Sequence, residues 1–502
     1  MTTAAEVGHQ DRDAAGDTGA ISLEEFEADA REFLKAHAAE RIDEDFVWGE
    51  GPDKVSLLPD RTPEEDLADL AVAREWAQTV YDAGFGWISG PPAYGGRGLP
   101  RDYQRIYNDV ARDYATPSMS AFGIGLGMVA PTILAHATEE VKQAYLAKMH
   151  RGDIVACQLF SEPGSGSDLA SLQSRAVKDG DEWIVNGQKV WTSNGQKADL
   201  GMLMARTDPD VPKHQGITYF AFSMVQPGVE VRPLTEMTGR ALFNEVFLTD
   251  ARVADAAIIG GLNQGWAVAN TTLANERAGL GSGGGSAAAS VAIPGTVGGD
   301  LDRRAGDFVS EKKGKGKGSG RSGSGSGSAA DGDPDDESTM RRAMGGGAKL
   351  LIDVARRNGT DQDPIVRQGL AQLYTWGELG RFNGLRLKAA KAAGTDIPGM
   401  PNISKLSMSH IMRLSRDLGM QIAGAAGMLH AYHHKDRASL ESAIGDPAIN
   451  FITELALLAQ APPIYGGTDQ IQRNIIGERV LGLPKEPNND RTTAFADLPK
   501  NA

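Results

Sequence analysis

The spacing of apolar residues changes twice along this chain, from helical to strand-like and back, and few architectures accommodate such a sequence. Helical spacing extends to about Gly152, short β-rich runs with turn dipeptides follow until about residue 255, and long helical patterns return from Asn263. The 502 residues exceed what one hydrophobic core supports. We therefore predict an α+β protein in which an antiparallel sheet or barrel lies between two helical domains.

Local signals predict the first helices and a hairpin. Ser22 with Glu25 forms a capping box, and Thr62 precedes a proline and two acids, so a helix is expected to begin after each hydroxyl residue. The dipeptides Asp179-Gly180 and Asn186-Gly187 separate β-rich runs and are typical of turns between paired strands.

The C-terminal half contains four long helical patterns and one tract that cannot form a core. The patterns span 365–393, 404–429, 447–461 and 470–481, which suits a helix bundle. The tract at 281–347 is rich in Gly and Ser, and we predict a flexible solvated insertion; pairing of its basic and acidic runs with each other or with a partner is the alternative. The expected boundaries are 1–155 for the N-terminal domain, 156–258 for the middle domain, 259–490 for the C-terminal domain and 491–502 for a tail.

The net charge and the cysteine content restrict the binding partners and the cellular compartment that we expect. A net charge of −15 repels the phosphates of nucleic acids and anionic lipid headgroups, and no stretch resembles a membrane span. Cys157 has no second cysteine with which to pair, and the polar, acidic first residues are unlike a signal peptide. We expect a cytoplasmic protein without a nucleic-acid partner.

Two segments of the β region indicate ligand binding. The loop at 158–168 is rich in glycine and hydroxyl residues, so its backbone N–H groups can approach an anionic or carbonyl-rich ligand, although a simple tight turn is the alternative. Further on, Trp191 and Ser193 lie on one face of a strand, where they can stack on a flat ring and hydrogen-bond to it. A core tryptophan beside an incidental serine is the alternative there.

Three motifs, SEPGSGSD, NGQKVWTSNG and IYGGTDQIQRNIIGERVLG, together resemble the acyl-CoA dehydrogenase family in order and spacing. The resemblance covers nearly the whole chain apart from its ends and the Gly/Ser tract. It implies FAD as cofactor and an acyl-CoA as substrate. It also implies an N-terminal all-helical domain, a middle antiparallel β-barrel and a C-terminal four-helix bundle that the Gly/Ser-rich insertion interrupts.

The resemblance implies a set of binding residues. Those expected at FAD are Gln158, Phe160, Ser161, Gly166, Ser167, Trp191, Ser193, Gln421, Gly424, Thr468 and Gln470. Those expected at the acyl-CoA are Ser167, Arg277, Gly466 and Gly467, with no metal ion. Two departures affect the FAD set. Ala425 replaces the second glycine of a Gly-Gly pair, and the Arg-x-x-Phe-Gly motif is missing around Arg356 and Arg357.

We predict Glu276 as the catalytic base. Dehydrogenation beside a thioester needs a carboxylate that removes the α-proton while the flavin takes the β-hydride. Most relatives carry this glutamate where the chain has Gly466, but isovaleryl-CoA and long-chain dehydrogenases carry it on a helix before an arginine, as in Glu276-Arg277. The backbone N–H of Gly466 is still expected to donate to the thioester carbonyl. A surface glutamate beside an arginine is the alternative interpretation.

The family implies an electron-transfer flavoprotein as electron acceptor and a homodimer or homotetramer. Two other functions stay open at this point. In the first, the chain is a subunit that lends FAD contacts to an active partner. In the second, it is an enzyme of the same fold that passes electrons to oxygen, like acyl-CoA oxidases, or that oxidises a non-CoA substrate. The glycine at 466 also makes room for a branched or bulky acyl chain.

Overall fold

The computed structural model describes residues 21–40, 62–287, 348–485, 487 and 490–499. The N-terminal domain consists of helices and two short strands. The helices are α1 (Leu23–His37), α2 (Pro63–Asp82), α3 (Arg101–Ala111), α4 (Ala130–His136) and α5 (Glu139–Arg151), and the strands are β1 (Ala39–Glu40) and β2 (Tyr114–Ala115).

The capping box predicted at Ser22 is confirmed, and so is the helix start predicted after Thr62. Ser22 Oγ accepts a hydrogen bond from the Glu25 amide at 3.1 Å, and the Glu25 carboxylate accepts one from the Ser22 amide at 3.0 Å. Thr62 and Glu65 repeat this arrangement at the start of α2, with distances of 3.2 and 2.8 Å. These reciprocal bonds satisfy amides that have no partner inside a helix, which is why the two helices begin where they do.

The middle domain is one mixed sheet of eight strands. The strands are β3 (Ala156–Leu159), β4 (Arg175–Asp179), β5 (Glu182–Ser193), β6 (Leu200–Arg206), β7 (Ile217–Ser223), β8 (Val229–Leu234), β9 (Phe243–Ala254) and β10 (Ile258–Ile259). The strand order is β10-β7-β6-β4-β5-β9-β8, and β3 pairs with β6 in parallel.

The predicted antiparallel barrel is therefore wrong for the described residues. The end strands β8 and β10 do not pair with each other, and two of the pairings, β3 with β6 and β4 with β6, are parallel. The sheet stays open because its two halves are joined weakly at the middle, where β4 pairs with β6 only through Arg175 and Arg206. Both halves instead face one core, in which Trp183 of β5 packs edge-on against Phe220 of β7.

One of the two predicted turns is also wrong. Asp179-Gly180 leads from β4 into β5 as a hairpin, as predicted, but Asn186-Gly187 lies inside the continuous strand β5. The strand has a register shift between Val185 and Gly187. A side chain at Gly187 would collide with Ser174, so close approach of the backbone explains this glycine.

The C-terminal domain is helical. Its helices are α6 (Gly265–Ala287), α7 (348–358), α8 (Pro364–Ala392), α9 (Met400–Ala423), α10 (His434–Ile444), α11 (Pro447–Leu458) and α12 (Asp469–Ile475). The four long predicted helical patterns correspond to α8, α9, α11 and α12, of which α9 and α12 continue as short 3₁₀ and π segments.

The predicted flexible insertion at 281–347 differs in its first part. Residues 281–287 continue helix α6 to Ala287, because helical hydrogen bonding persists through the glycines there. Residues 288–347 lie outside the described residues. In the part of the chain that the structure describes, no helix combines the length and the apolarity that a bilayer crossing requires.

Candidate active site

A buried ion pair joins the 158–168 loop to strand β5. The ammonium of Lys189 donates to Glu162 Oε1 at 2.8 Å and to the Phe160 carbonyl at 3.1 Å. The Glu162 carboxylate also accepts the amides of Gln173 and Ser174 at 2.6 and 2.9 Å. Sequence reasoning missed this pair, although a lysine at an inward-facing position of a β-rich run is an unusual signal.

The electrostatics of the pair favour the charged carboxylate. Burial by itself would raise the pKa of Glu162, but the Lys189 ammonium and the hydrogen bonds outweigh burial and hold that pKa below its usual range. A further bond, from the Val190 amide to the Ser161 carbonyl at 2.9 Å, continues the connection. The loop residues Phe160 and Ser161 therefore lie directly beside the strand that carries Trp191 and Ser193.

Trp191 is exposed and its backbone is unusual. Its φ of 62° lies in the left-handed region, which a bulky residue rarely adopts, and 57% of the residue is exposed. The neighbouring Thr192 is buried and Ser193 is half-buried, so the indole and the Ser193 hydroxyl lie away from the core of the sheet. Strain of this kind persists where the surroundings enforce it and is frequent at ligand sites.

Helix α6 approaches the same region from the C-terminal domain. Thr272 Oγ1 lies 2.9 Å from Tyr219 Oη and 3.0 Å from Thr132 Oγ1, all of them buried or nearly so. The ring of Tyr219 packs edge-on against Phe160, with 5.7 Å between centroids. Glu276 follows Thr272 by one helical turn, so the two residues share a face of α6, and Glu276 is half-buried.

Phe160 is buried, with only 4% of the whole residue exposed. Gln158 is half-buried on β3, whereas Gly166 and Ser167 are exposed.

The two glycines of the third motif form a left-handed turn. Gly466 and Gly467 have φ values of 63° and 81°. Gln472 Nε2 donates to both carbonyls, at 2.9 and 3.3 Å, and Asn402 Nδ2 donates to Gln472 Oε1 at 2.7 Å, which fixes the turn against α9. Burial raises the pKa of the adjacent Tyr465 to about 12. The turn is thus rigid, and its conformation favours glycine.

Thr468 is the N-cap of α12, because its Oγ1 accepts the Ile471 amide at 3.2 Å. The next residue, Asp469, is buried and bound to Lys405 at 3.1 Å and to Arg413 at 2.9 Å. The first residues after the glycine turn are therefore held against α9 by charge as well as by hydrogen bonds.

A cleft of about 450 Å³ opens beside Ser167 and is called the Ser167 cleft below. It lies between the 158–168 loop, the loop after β6, helix α12 with its π segment, and residues 490 and 491. Its lining residues are Ser167, Asp168, Lys213, His214, Ile471, Asn474, Ile475, Glu478, Arg479, Asp490 and Arg491.

The other predicted site residues lie at exposed helix ends, or their side chains lie outside the described residues. Gln421 and Gly424 are exposed at the carboxyl end of α9, and Gln470 is exposed in the first turn of α12. Arg277 belongs to α6, but its side chain lies outside the described residues. Within the described ranges, no group of three His, Cys, Asp or Glu side chains is arranged to hold a metal ion.

Comparison with known proteins accounts for all three parts of the chain. Residues 22–153, 157–251 and 339–481 match the N-terminal, middle and C-terminal domains of acyl-CoA dehydrogenase. The acyl-CoA dehydrogenase IpdE1 of Mycobacterium tuberculosis is 31% identical over 416 residues, which cover 82% of this chain and 88% of IpdE1. The chain belongs to the acyl-CoA dehydrogenase family.

Solved structures support the same fold at lower identity. The Tcur3481-Tcur3483 steroid ACAD aligns with a TM-score of 0.60 and 23% identity, over 92% of this chain and 98% of that chain. The ChsE4-ChsE5 complex from Mycobacterium tuberculosis aligns with a TM-score of 0.56 and 24% identity, over 92% and 98%. The resemblance of the three motifs is therefore confirmed at the level of the acyl-CoA dehydrogenase family, whose members are flavoprotein oxidoreductases.

The region around Trp191 fits a flavin. An exposed indole offers a flat apolar surface, and the half-buried Ser161 and Ser193 bring hydroxyls from the adjoining loop and from the same strand. The strained backbone of Trp191 is consistent with a residue that is held in place for a ligand.

Proposed function

We propose that this chain is an FAD-dependent acyl-CoA dehydrogenase in which Glu276 removes the α-proton of the substrate. The single observation that carries the proposal is the position of Glu276. It is half-buried, one turn after Thr272, on the face of α6 that meets Tyr219 and, through Tyr219, the Phe160 loop. A carboxylate on this face can reach a substrate bound beside the loop and accept its α-proton.

FAD, when bound, supplies the acceptor for the β-hydride. The residues proposed to hold its ring are Trp191, Ser193 and Ser161, because they form one patch through the bonds between the loop and β5. The residues proposed for the rest of the cofactor are Gln158, Phe160, Gly166, Ser167, Gln421, Gly424, Thr468 and Gln470.

The glycine turn is proposed to bind the thioester. The Gly466 N–H is the expected donor to the thioester carbonyl, and one such donor is worth about 3 kcal/mol to the developing enolate in a dry site. Gln472 fixes the turn, so little reorganisation is needed. Ser167, Gly467 and Arg277 complete the proposed substrate set.

The absence of a side chain at Gly466 favours a branched or bulky acyl group. One of the structural relatives is a steroid ACAD by name, which is consistent with a large substrate. A scan of acyl-CoA thioesters by flavin reduction tests this part, and a strict preference for short straight chains would contradict it.

The decisive experiment is Glu276→Gln in the FAD-loaded enzyme. Anaerobic addition of a reactive acyl-CoA bleaches the wild-type flavin, and we expect the variant to lose this bleaching by several orders of magnitude while it still binds FAD and ligand. Glu378→Gln is the matched control, because this half-buried glutamate pairs with Arg381 on α8, a helix that packs against α6. Undiminished bleaching in Glu276→Gln would rule out the assigned base.

A second candidate function is a subunit that supports an active partner chain. Arg357, near the position of the missing motif, is bound to Asp446 at 3.0 Å within this chain, and both structural relatives are named with two components. No bleaching with any thioester, unless a partner chain is added, would favour this candidate.

The electron acceptor and the assembly are part of the proposal. An electron-transfer flavoprotein is the proposed acceptor, and the proposed assembly is a homodimer or homotetramer. Peroxide formed on re-aeration of the reduced enzyme would favour an oxidase instead. Analytical ultracentrifugation determines the assembly.

A further inference from the structure

The last described residues, 490–499, pack on the middle domain and are called the C-terminal strap below. The Phe495 amide donates to the Val211 carbonyl at 2.9 Å, and the Ala496 amide donates to the Pro209 carbonyl at 2.8 Å. Phe495 is buried, and the Arg206 guanidinium lies 3.7 Å from its ring centroid. The strap is therefore anchored by main-chain bonds and by a buried cation–π contact.

Arg206 connects this anchor to the residues that follow the 158–168 loop and to the loop after β6. It is buried and donates to the Ala170 carbonyl at 2.6 Å and to the Lys213 carbonyl. Strand β6, the turn after Ser167 and the loop that carries Lys213 thus meet at one guanidinium. The strap covers this junction and brings Asp490 to the wall of the Ser167 cleft.

Lys213 binds two carboxylates at once. Its ammonium lies 2.9 Å from both oxygens of Asp168 and also contacts Asp490. Asp168 has a further partner, since Ser171 Oγ donates to it at 2.6 Å. Among the described contacts, the Asp490 side chain has Lys213 alone. Lys213 is therefore the group whose charge Asp490 neutralises at the wall of the cleft.

The cleft is balanced in charge, and the strap supplies one charge of each sign, Asp490 and Arg491. Three permanent cations, Lys213, Arg479 and Arg491, face three carboxylates, Asp168, Glu478 and Asp490. Burial and the neighbouring Lys213 lower the pKa of His214, so this imidazole adds no charge at neutral pH. Without Asp490, the cleft would carry a net positive charge suited to a phosphate.

We propose that Asp490 sets the affinity of the Ser167 cleft for the phosphorylated end of a CoA thioester, by occupying the Lys213 ammonium until a ligand phosphate displaces it. This inference rests on the proposed function, because CoA is its ligand. Asp490 is an affinity-determining residue: it keeps the cleft from binding other phosphorylated molecules strongly and favours ligands that also reach the glycine turn.

Calorimetric titration of the FAD-loaded enzyme with coenzyme A and with pantetheine tests the proposal. We expect Asp490→Asn to bind coenzyme A about fivefold more tightly than wild type, in line with one partly exposed ion pair, and pantetheine equally well. The gain should shrink in about 0.5 M salt, because screening weakens the attraction of phosphate for the freed ammonium.

Asp497→Asn is the matched control, because it removes the same charge from an exposed position of the strap. In a Lys213→Met background, Asp490→Asn should give no gain, because the ammonium is gone. Equal coenzyme A affinities in wild type and Asp490→Asn, an equal gain in Asp497→Asn, or an equal gain for pantetheine would each overturn the proposal. Coenzyme A binding requires no turnover, so the two proposals can fail separately. If the titrations give the expected affinities but no thioester bleaches the flavin, the dehydrogenase proposal is refuted and the role of Asp490 stands.

Discussion

Replacing Lys189 by methionine removes one charge from a pair that water hardly reaches. The Lys189 side chain is 0% exposed and the Glu162 side chain is 6% exposed. In Lys189→Met, Glu162 keeps the Gln173 and Ser174 amides but has lost its cation. A carboxylate buried in this way is unfavourable, so we expect the middle domain to be destabilised.

The magnitude follows from the burial of both groups. Breaking a buried pair from one side costs about 3–5 kcal/mol of unfolding free energy. The double variant Glu162→Gln/Lys189→Met leaves neither member of the pair charged, so its loss should be about 1–3 kcal/mol smaller than the sum of the single losses. Because Lys189 also holds the Phe160 carbonyl, the single variant should bind FAD more weakly as well.

Urea unfolding followed by circular dichroism measures the free energies, with and without FAD. Arg252→Gln is the control, because Arg252 pairs with Asp179 and Glu182 at the exposed surface of the same sheet. Such a pair is worth less than about 1 kcal/mol. If Lys189→Met unfolds within about 1 kcal/mol of wild type, the view that this pair holds the loop is refuted.

Three other perturbations have expected outcomes. Burial lowers the pKa of His150, which is stacked on Trp87, from 6.5 to about 4. The unfolded chain therefore binds the proton first, and the free energy of unfolding falls by at most about 3 kcal/mol as the pH drops from about 6.5 to about 4. In His150→Gln, the urea midpoint should depend less on pH over this window. Gly467→Ala should lower the free energy of unfolding by about 1–2 kcal/mol, because the φ of Gly467 is 81°. Gly477→Ala is the control and should be nearly neutral, because a Cβ there makes only an ordinary contact. Equal melting temperatures of the two variants would contradict the argument. Trp191→Ala should weaken FAD binding by up to about tenfold with little change in melting temperature, as measured by quenching of flavin fluorescence.

Structural features that depend only on residues close together in the chain were predicted well from the sequence. The helix starts predicted after Ser22 and Thr62 are confirmed, since an N-cap and the residues just after it determine where a helix begins. The four late helical patterns are confirmed for the same reason, because apolar spacing within one helix is a local property. The three motifs sufficed to indicate the acyl-CoA dehydrogenase family.

Closure of the sheet was not predictable in this way. A strand pattern gives the spacing of buried residues but not which strand lies at an edge, and here β4 meets β6 through a single residue pair. The Asn186-Gly187 dipeptide has the composition of a turn, yet contact with Ser174 keeps it inside β5. Glu162 and Lys189 lie 27 residues apart, so their pairing emerges only when the loop and the strand are packed.

The amino-acid sequence alone determined the order of helical and strand-forming segments, the helix starts and the family, because each depends on residues close together in the chain. The tertiary structure alone decided that the sheet is open, that Trp191 adopts a strained and exposed conformation, and that Asp490 meets Lys213 from the far end of the chain. These features depend on contacts between distant segments, whose energies are fixed by packing and burial rather than by local preference.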